Sequence, residues 1–353
     1  MTDRTFRRAV ERLRPVDEAA RAEAEAHQLR LTKPPGALGG LEAIGNQLCA
    51  IARQVPPPLP RPAAVAVFAG DHGVHAAGVT PWPQEVTGQM VANFLAGGAA
   101  VSVLARQQGI DVLVVDVGVA SDLPATDGLV DRRIRAGTGN LAEGSAMTVA
   151  EASAALDVGA EIAGDLVAAG HGCLLTGDMG IANTTPSAAV IAALTGRPAA
   201  EVTGRGTGVD DATLDLKTRV VATAVERTAG LEPLAVLAEV GGLEIAALAG
   251  YIVGGAAAGV PVVVDGVIAG AALLAAHRLA PDCLGYVIAG HRSSEPGASA
   301  VLDELGLSPV IDLELRLGEG TGACLALPVV EAAARILGEM ATFDGAGVAH
   351  KDP

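Results

Sequence analysis

The stretch Ala63-Ala-Val-Ala-Val-Phe-Ala69, running into Gly70-Asp-His-Gly73, decides the fold. The run is too uniformly apolar for a strand wet on one face, and it ends abruptly in small and ionisable residues. Working outward, the same pattern recurs at Val112–Val117, Cys173–Thr176, Pro261–Val264, Leu284–Ala289 and Pro309–Leu315. Ala-rich helical stretches lie between these runs. Continuous apolar strands alternating with helices predict a parallel sheet covered on both faces. The expected fold class is therefore α/β, Rossmann-like and doubly wound, with helices on both faces. A (β/α)₈ barrel fits less well, because six such strands are found.

Upstream, residues 5 to 30 read as helical, Lys33-Pro-Pro-Gly36 is a break, and a second helix is predicted from Leu41 to Gln54. Val55 to Pro62 carries five prolines and reads as a linker into the main domain. Ile245 to Val264 is twenty residues without a charge, the length of a membrane span. Gly254-Gly255 and Pro261 interrupt it, and Asp265 follows at once, so a buried helix, a turn and a buried strand are expected.

Composition narrows the function. A net charge of -16 argues against a nucleic-acid partner. An anionic substrate would need local cations, helix N-termini and backbone N–H groups. Arg outnumbers Lys 21 to 3, which singles out Lys33 and Lys217 as the two lysines away from the terminus. Aromatics are 2% of the chain, so a pocket for a flat ring must be mostly aliphatic. Cys49, Cys173, Cys283 and Cys324 lie far apart in apolar contexts and read as buried free thiols of a reducing cytoplasm. Met1-Thr2-Asp3-Arg4 is polar and lacks a signal-peptide core.

Ligands of open parallel sheets bind beyond the C-terminal strand ends. Glycine, hydroxyl and ionisable residues gather after five of the predicted strands. Gly204-Arg-Gly-Thr-Gly208 and Gly318-Glu-Gly-Thr-Gly322 are near copies, each ahead of a helical stretch. Neither is a P-loop or a GxGxxG fingerprint. Turn glycines explain each loop about as well as a ligand contact does. Glu319 is more specific: a carboxylate between two glycines after an apolar strand is partly desolvated, which raises its pKa as a general base requires. The commoner case is a solvated turn Glu. Asp71-His72 with His75 suggests hydrogen bonding more than metal binding, because no third ligand has fitting spacing.

These segments together resemble the nicotinate-nucleotide:5,6-dimethylbenzimidazole phosphoribosyltransferase family of cobalamin biosynthesis. The matching stretches are Lys33-Pro-Pro-Gly-Ala-Leu-Gly-Gly-Leu-Glu42, Gly70–Val74, Pro83–Thr87 with Gln89-Met90, and Gly177–Thr185. Gly204–Gly208, Gly290–Gly297 and Arg316–Gly322 complete them, in order along nearly the whole chain. The resemblance implies transfer of ribose 5-phosphate from nicotinate mononucleotide to 5,6-dimethylbenzimidazole with inversion at C1′. It implies Glu319 as base, with Asp178 as a second carboxylate where the family often has Glu. It places Gly180, Asn183, Thr184, Lys217, Ser293 and Arg316 at the phosphate and ribose. Thr80, Gln84, Gln89, Met179 and Leu317 would line the base pocket, with Trp82 nearby.

It also implies a homodimer, with no metal or organic cofactor and no membrane. The expected division is 1–58 as the N-terminal helical part of a small subdomain, 59–328 as the catalytic domain, and 329–353 as a C-terminal helix packed on the first part. A non-catalytic nucleotide-binding module is one alternative. Another phosphoribosyltransferase or a nucleoside hydrolase is the second.

Overall fold

Phe68 and Ala66 point to one side of the sheet, Val65 and Val67 to the other, and all four are buried. The period-2 alternation therefore feeds two separate cores. The computed structural model describes residues 5–349; the Met1–Arg4 tetrapeptide and Lys351 lie outside them. Six strands are described: β1 (Ala63–Gly70), β2 (Ile110–Gly118), β3 (Leu129–Asp131), β4 (Cys173–Met179), β5 (Val262–Val264) and β6 (Val287–Ala289). They pair in the order β3-β2-β1-β4-β5-β6, every neighbour parallel. That order reverses direction between β1 and β4, which opens a crevice at their C-terminal ends.

Helices Val149–Ala168, Thr184–Thr195, Leu243–Ala257 and Val267–Leu279 cover one face. Helices Gly40–Ala52, Val86–Leu95, Ala100–Gln108 and Thr321–Glu339 serve the other. Leu243–Ala257 is buried through Ala256 and is followed by β5, the helix, turn and strand expected of this uncharged stretch. It lies so close to Val149–Ala168 that a Cβ at Gly159 would stand 1.8 Å from the Ala247 carbonyl oxygen. The Thr148–Glu151 capping box starts Val149–Ala168 by satisfying its first free N–H groups.

Two strand expectations need correction. Pro309–Leu315 is not a strand. Only Ile311 forms a β-bridge, to His291; Val310 and Leu315 keep single hydrogen bonds with Ala289 and Ser294, but Glu314 adopts φ 56 and Leu313 is exposed, so no continuous ladder forms beside β6. The sixth strand is the short edge strand β3 instead. Leu284–Ala289 is shortened too: Pro281–Tyr286 forms a 3₁₀ turn and only Val287–Ala289 pairs. Residues 5–30 divide into Thr5–Arg12 and Glu18–Gln28, with Pro15 between them.

The chain ends meet. His27 Nε2 lies 3.0 Å from the Leu337 carbonyl oxygen, Leu31 bridges to Thr342, and Gly45 packs on Leu337. Residue 328, where a boundary was expected, is a proline inside the continuous helix Thr321–Glu339. All four cysteines are buried free thiols, and burial pushes each up to about 12.

Candidate active site

The crevice is pinned by one hydroxyl. Thr87 Oγ1, on helix Val86–Leu95, donates to Asp71 Oδ1 at 2.7 Å and accepts from the Ile181 N–H at 3.1 Å. Asp71 Oδ2 accepts from the Ala120 N–H at 2.8 Å. The exits of β1, β2 and β4 are thereby tied together. Beneath them His72 Nε2 lies 2.8 Å from Glu244 Oε1, both fully buried. Burial opposes a charge on His72, yet the Glu244 and Asp71 carboxylates outweigh it and raise the imidazole's pKa. His75 Nε2 sits 2.8 Å from the Trp82 carbonyl oxygen. Asp71, His72 and His75 thus serve hydrogen bonding and ion pairing. Among the described residues no group of three His, Cys, Asp or Glu side chains is placed to hold a metal.

Two carboxylates face the crevice. Asp178, near the end of β4, accepts from Asn183 Nδ2 at 3.0 Å through Oδ2, while its buried Oδ1 has no hydrogen-bond partner. Burial, joined by the charges of Asp265, Glu244 and Glu319, drives its pKa well above the ordinary value, against the opposing Asn183 bond. Glu319 is 5% exposed. Burial raises its pKa; the Val101 N–H, 3.3 Å from Oε2, opposes this and the Asp265 charge adds to it.

The backbone around Glu319 is unusual. Gly318, Glu319 and Gly320 have φ of 80°, 64° and 93°. A left-handed Glu costs on the order of 1 kcal/mol, so something must hold it. Asp265 does: Oδ2 accepts from the Gly320 N–H at 3.3 Å and Oδ1 from the Ala323 N–H at 2.9 Å. These bonds seat the loop on the first turn of helix Thr321–Glu339. His291 Nε2 lies 3.4 Å from the same Oδ1.

A cation faces the same region. Lys217 shares an i, i+3, i+4, i+7 face with Val220, Val221 and Ala224, so its stem runs through apolar packing. Its Nζ donates to Thr184 Oγ1 at 3.0 Å and to the Gly204 carbonyl oxygen at 2.9 Å. Burial lowers its pKa and the Glu295 charge counters part of this.

These groups meet in a cleft of about 290 Å³. Asp178, Met179, Gly180, Asn183 and Thr184 line one side, and Ser293, Arg316, Leu317 and Glu319 another. Lys217 and Thr80 border an adjoining hollow of about 50 Å³, together with Gly180, Asn183 and Thr184. Gln84 and Gln89 line neither. On helix Val86–Leu95 the pair Val86 and Met90, four apart, faces the cleft; Gln89 is one position off that face and exposed. Trp82, Val86, Met90, Val267 and Ile268 supply the apolar wall instead. Larger hollows of about 470 and 490 Å³ bring no carboxylates together.

A phosphoribosyltransferase family model matches residues 13–348. A nicotinate-nucleotide–dimethylbenzimidazole phosphoribosyltransferase of Salinispora tropica is 57% identical, over 96% of this chain and 97% of its own. The chain belongs to the nicotinate-nucleotide–dimethylbenzimidazole phosphoribosyltransferase family. A member from Chloroflexus aggregans is 52% identical over 96% of each chain. The crystal structure of CobT from Thermus thermophilus superposes with a TM-score of 0.92 at 50% identity, covering 94% of this chain and 100% of that one. Against that family background, sequence reasoning passed over Asp265 as the anchor of the Glu319 loop and Glu295 as a residue of the cleft. Both stand in strand-end loops that it had singled out.

Proposed function

We propose that the chain transfers ribose 5-phosphate from nicotinate mononucleotide to 5,6-dimethylbenzimidazole. The products are α-ribazole 5′-phosphate and nicotinate, the former serving as the lower-ligand nucleotide of cobalamin. One observation carries the reading: two buried carboxylates of raised pKa share a cleft with an apolar wall and a set of anion-binding donors. A benzimidazole ring nitrogen attacks C1′ as the bond from C1′ to the pyridinium nitrogen breaks. The electron pair leaves with nicotinate, whose ring becomes neutral, so no strong acid is needed. Attack opposite the leaving group inverts C1′ from β to α. The attacking base still carries the proton of its other ring nitrogen, and Glu319 takes it.

Asp178, whose pKa is driven up by burial and by the neighbouring carboxylates, orients the ribose or relays that proton. Gly180, Asn183, Thr184, Lys217, Ser293 and Arg316 hold the phosphate and ribose, with Thr80 beside them. Met179 and Leu317 join Trp82 and Met90 around the base. Trp82, Leu313 and Leu317 are 48%, 59% and 59% exposed at or near the rim, which suits a homodimer that covers them. We place the enzyme in the cytoplasm, where four buried thiols stay reduced. We also read the two meeting chain ends as a small helical subdomain beside the catalytic domain.

The test is a product assay with nicotinate mononucleotide and a panel of bases, read by mass and anomeric configuration. An α-riboside phosphate formed only with added base supports the reading. Nicotinate released without base would replace it with a hydrolase.

A further inference from the structure

Glu295 lies in the loop after β6, just ahead of helix Pro296–Leu305, where an acidic side chain normally caps its own helix. It does not do so here. Its side chain lines the cleft, and Oε1 accepts from the Gly206 N–H at 2.7 Å. The contact is tight: a Cβ on Gly204 would stand 2.1 Å from Glu295 Oε2. The same loop is held by two cations. Arg316 donates to the Gly206 carbonyl oxygen at 3.1 Å, and Lys217 donates to that of Gly204 at 2.9 Å. An ammonium has three protons to donate. Two go to Thr184 Oγ1 and Gly204, which leaves one for an anion.

We propose that Glu295 is the positioning residue of the donor-phosphate subsite, clasping the Gly204–Gly208 loop and supplying the counter-charge of Lys217. This rests on the reading of the Lys217 hollow as that subsite. Lys217 is 2% exposed on an apolar helix face, an environment that favours the neutral amine. The other ionisable groups around it are poorly placed to oppose this. Asp211, Asp215, Arg219 and Glu226 on its own helix are exposed. Helix Thr184–Thr195 carries no ionisable side chain, and Glu201 on helix Ala199–Val202 is exposed. Glu239, on helix Pro233–Val240, pairs with Arg227. Arg205 pairs with Asp211. Asp178 and Arg316 also line the cleft, Asp178 with its pKa raised. Glu295, 7% exposed, is the buried carboxylate whose charge acts on Lys217.

The experiment measures KM for nicotinate mononucleotide and kcat across pH 6–10 in three variants, each first checked for wild-type folding by circular dichroism. Glu295→Gln keeps an acceptor for Gly206 but loses the charge. It should raise KM about ten-fold, keep kcat within about two-fold, and move the alkaline rise in KM to lower pH, because Lys217 sheds its proton sooner. Gly204→Ala pushes on the carboxylate and on the Pro296 ring and so displaces Glu295 while keeping its charge; KM should rise, with the alkaline limb moved less than in Glu295→Gln. Lys217→Ala should raise KM at every pH and abolish that limb.

If Glu295→Gln leaves both KM and the limb unmoved, the proposal is overturned. A fall in kcat at unchanged KM would also overturn it, by putting Glu295 at the reacting atoms. If Lys217→Ala alone leaves KM unchanged, the phosphate-subsite reading falls, whatever Glu295 does. Should Glu295→Gln fail to fold, Gly204→Ala decides, and an unchanged KM there overturns the proposal.

Discussion

Gly204-Arg-Gly-Thr-Gly208 and Gly318-Glu-Gly-Thr-Gly322 differ by one side chain, yet the fold uses them in opposite ways. The second is built into the sheet edge. Its carboxylate is buried, and a Cβ on Gly320 would stand 2.7 Å from Val65 Cγ2 and 2.8 Å from the Thr176 carbonyl oxygen. The first is clasped from outside by Glu295, Lys217 and Arg316, and its own Arg205 turns out to Val209 and Asp211. A glycine-rich loop is therefore only a permissive backbone. What lies beneath it decides whether its central charge is buried in the cleft or stays in solvent.

The comparison breaks first at Glu319. Glu319→Gln should lower turnover by about 10²-fold or more while donor binding is kept. The base must be ionised to act and its pKa is raised. The wild-type rate should therefore fall on acidification from above the ordinary glutamate range, and the variant should lose that limb. Near-normal turnover in steady-state assays would remove Glu319 as the base.

Gly320→Ala against Gly206→Ala is the next contrast. At Gly320 the backbone has φ 93° and the obstacle is the sheet itself, so about 2 kcal/mol or more of stability should be lost. At Gly206, φ is 54° and the nearest atom is the Thr184 hydroxyl at 2.9 Å, so about 1 kcal/mol is expected, with the loss showing mainly in donor KM. Denaturant midpoints for the pair check this, and equal losses would erase the distinction.

The same contrast separates what the sequence revealed from what it hid. Ala63–Gly70 was legible because every residue in it is buried, so its hydropathy reports its environment directly. β3 was hidden: three edge residues, half-buried or exposed, carry no such signal. Pro309–Leu315 misled because Val310, Ile311, Leu313 and Leu315 give it a strand-like look, although Asp312 and Glu314 interrupt the apolar residues and Glu314 turns left-handed. Glu319 was visible through its flanking glycines alone: the strand expected before it is absent, and its burial comes from the sheet edge on which Asp265 seats the loop. Asp265 and Glu295 were not, since their partners lie 55 and 89 residues away and only the assembled sheet brings them together.

Asp178 extends the comparison to stability. Its folded pKa lies well above the unfolded value of about 3.9. Its stabilising contribution is then full below that value and is lost as pH rises through the folded pKa. Asparagine cannot ionise and so escapes the loss, while its side-chain oxygen still accepts from Asn183. Asp178→Asn should therefore gain in Tm relative to wild type as pH goes from 4 to 8. A Tm difference that stays flat with pH would show that the carboxyl is not held neutral.

The smallest effect is expected at Arg205, the residue that stands where Glu319 stands in the other loop. Its guanidinium donates to the Val209 carbonyl oxygen at 2.8 Å and pairs with Asp211, whose side chain is 90% exposed. An ion pair so open to solvent contributes within about 1 kcal/mol. The loop keeps its Glu295, Lys217 and Arg316 anchors without it. Arg205→Ala should therefore change donor KM less than about three-fold and leave kcat alone. A ten-fold rise in KM would mean that Arg205 swings inward onto the donor, and that the central residue of each loop works inside the cleft.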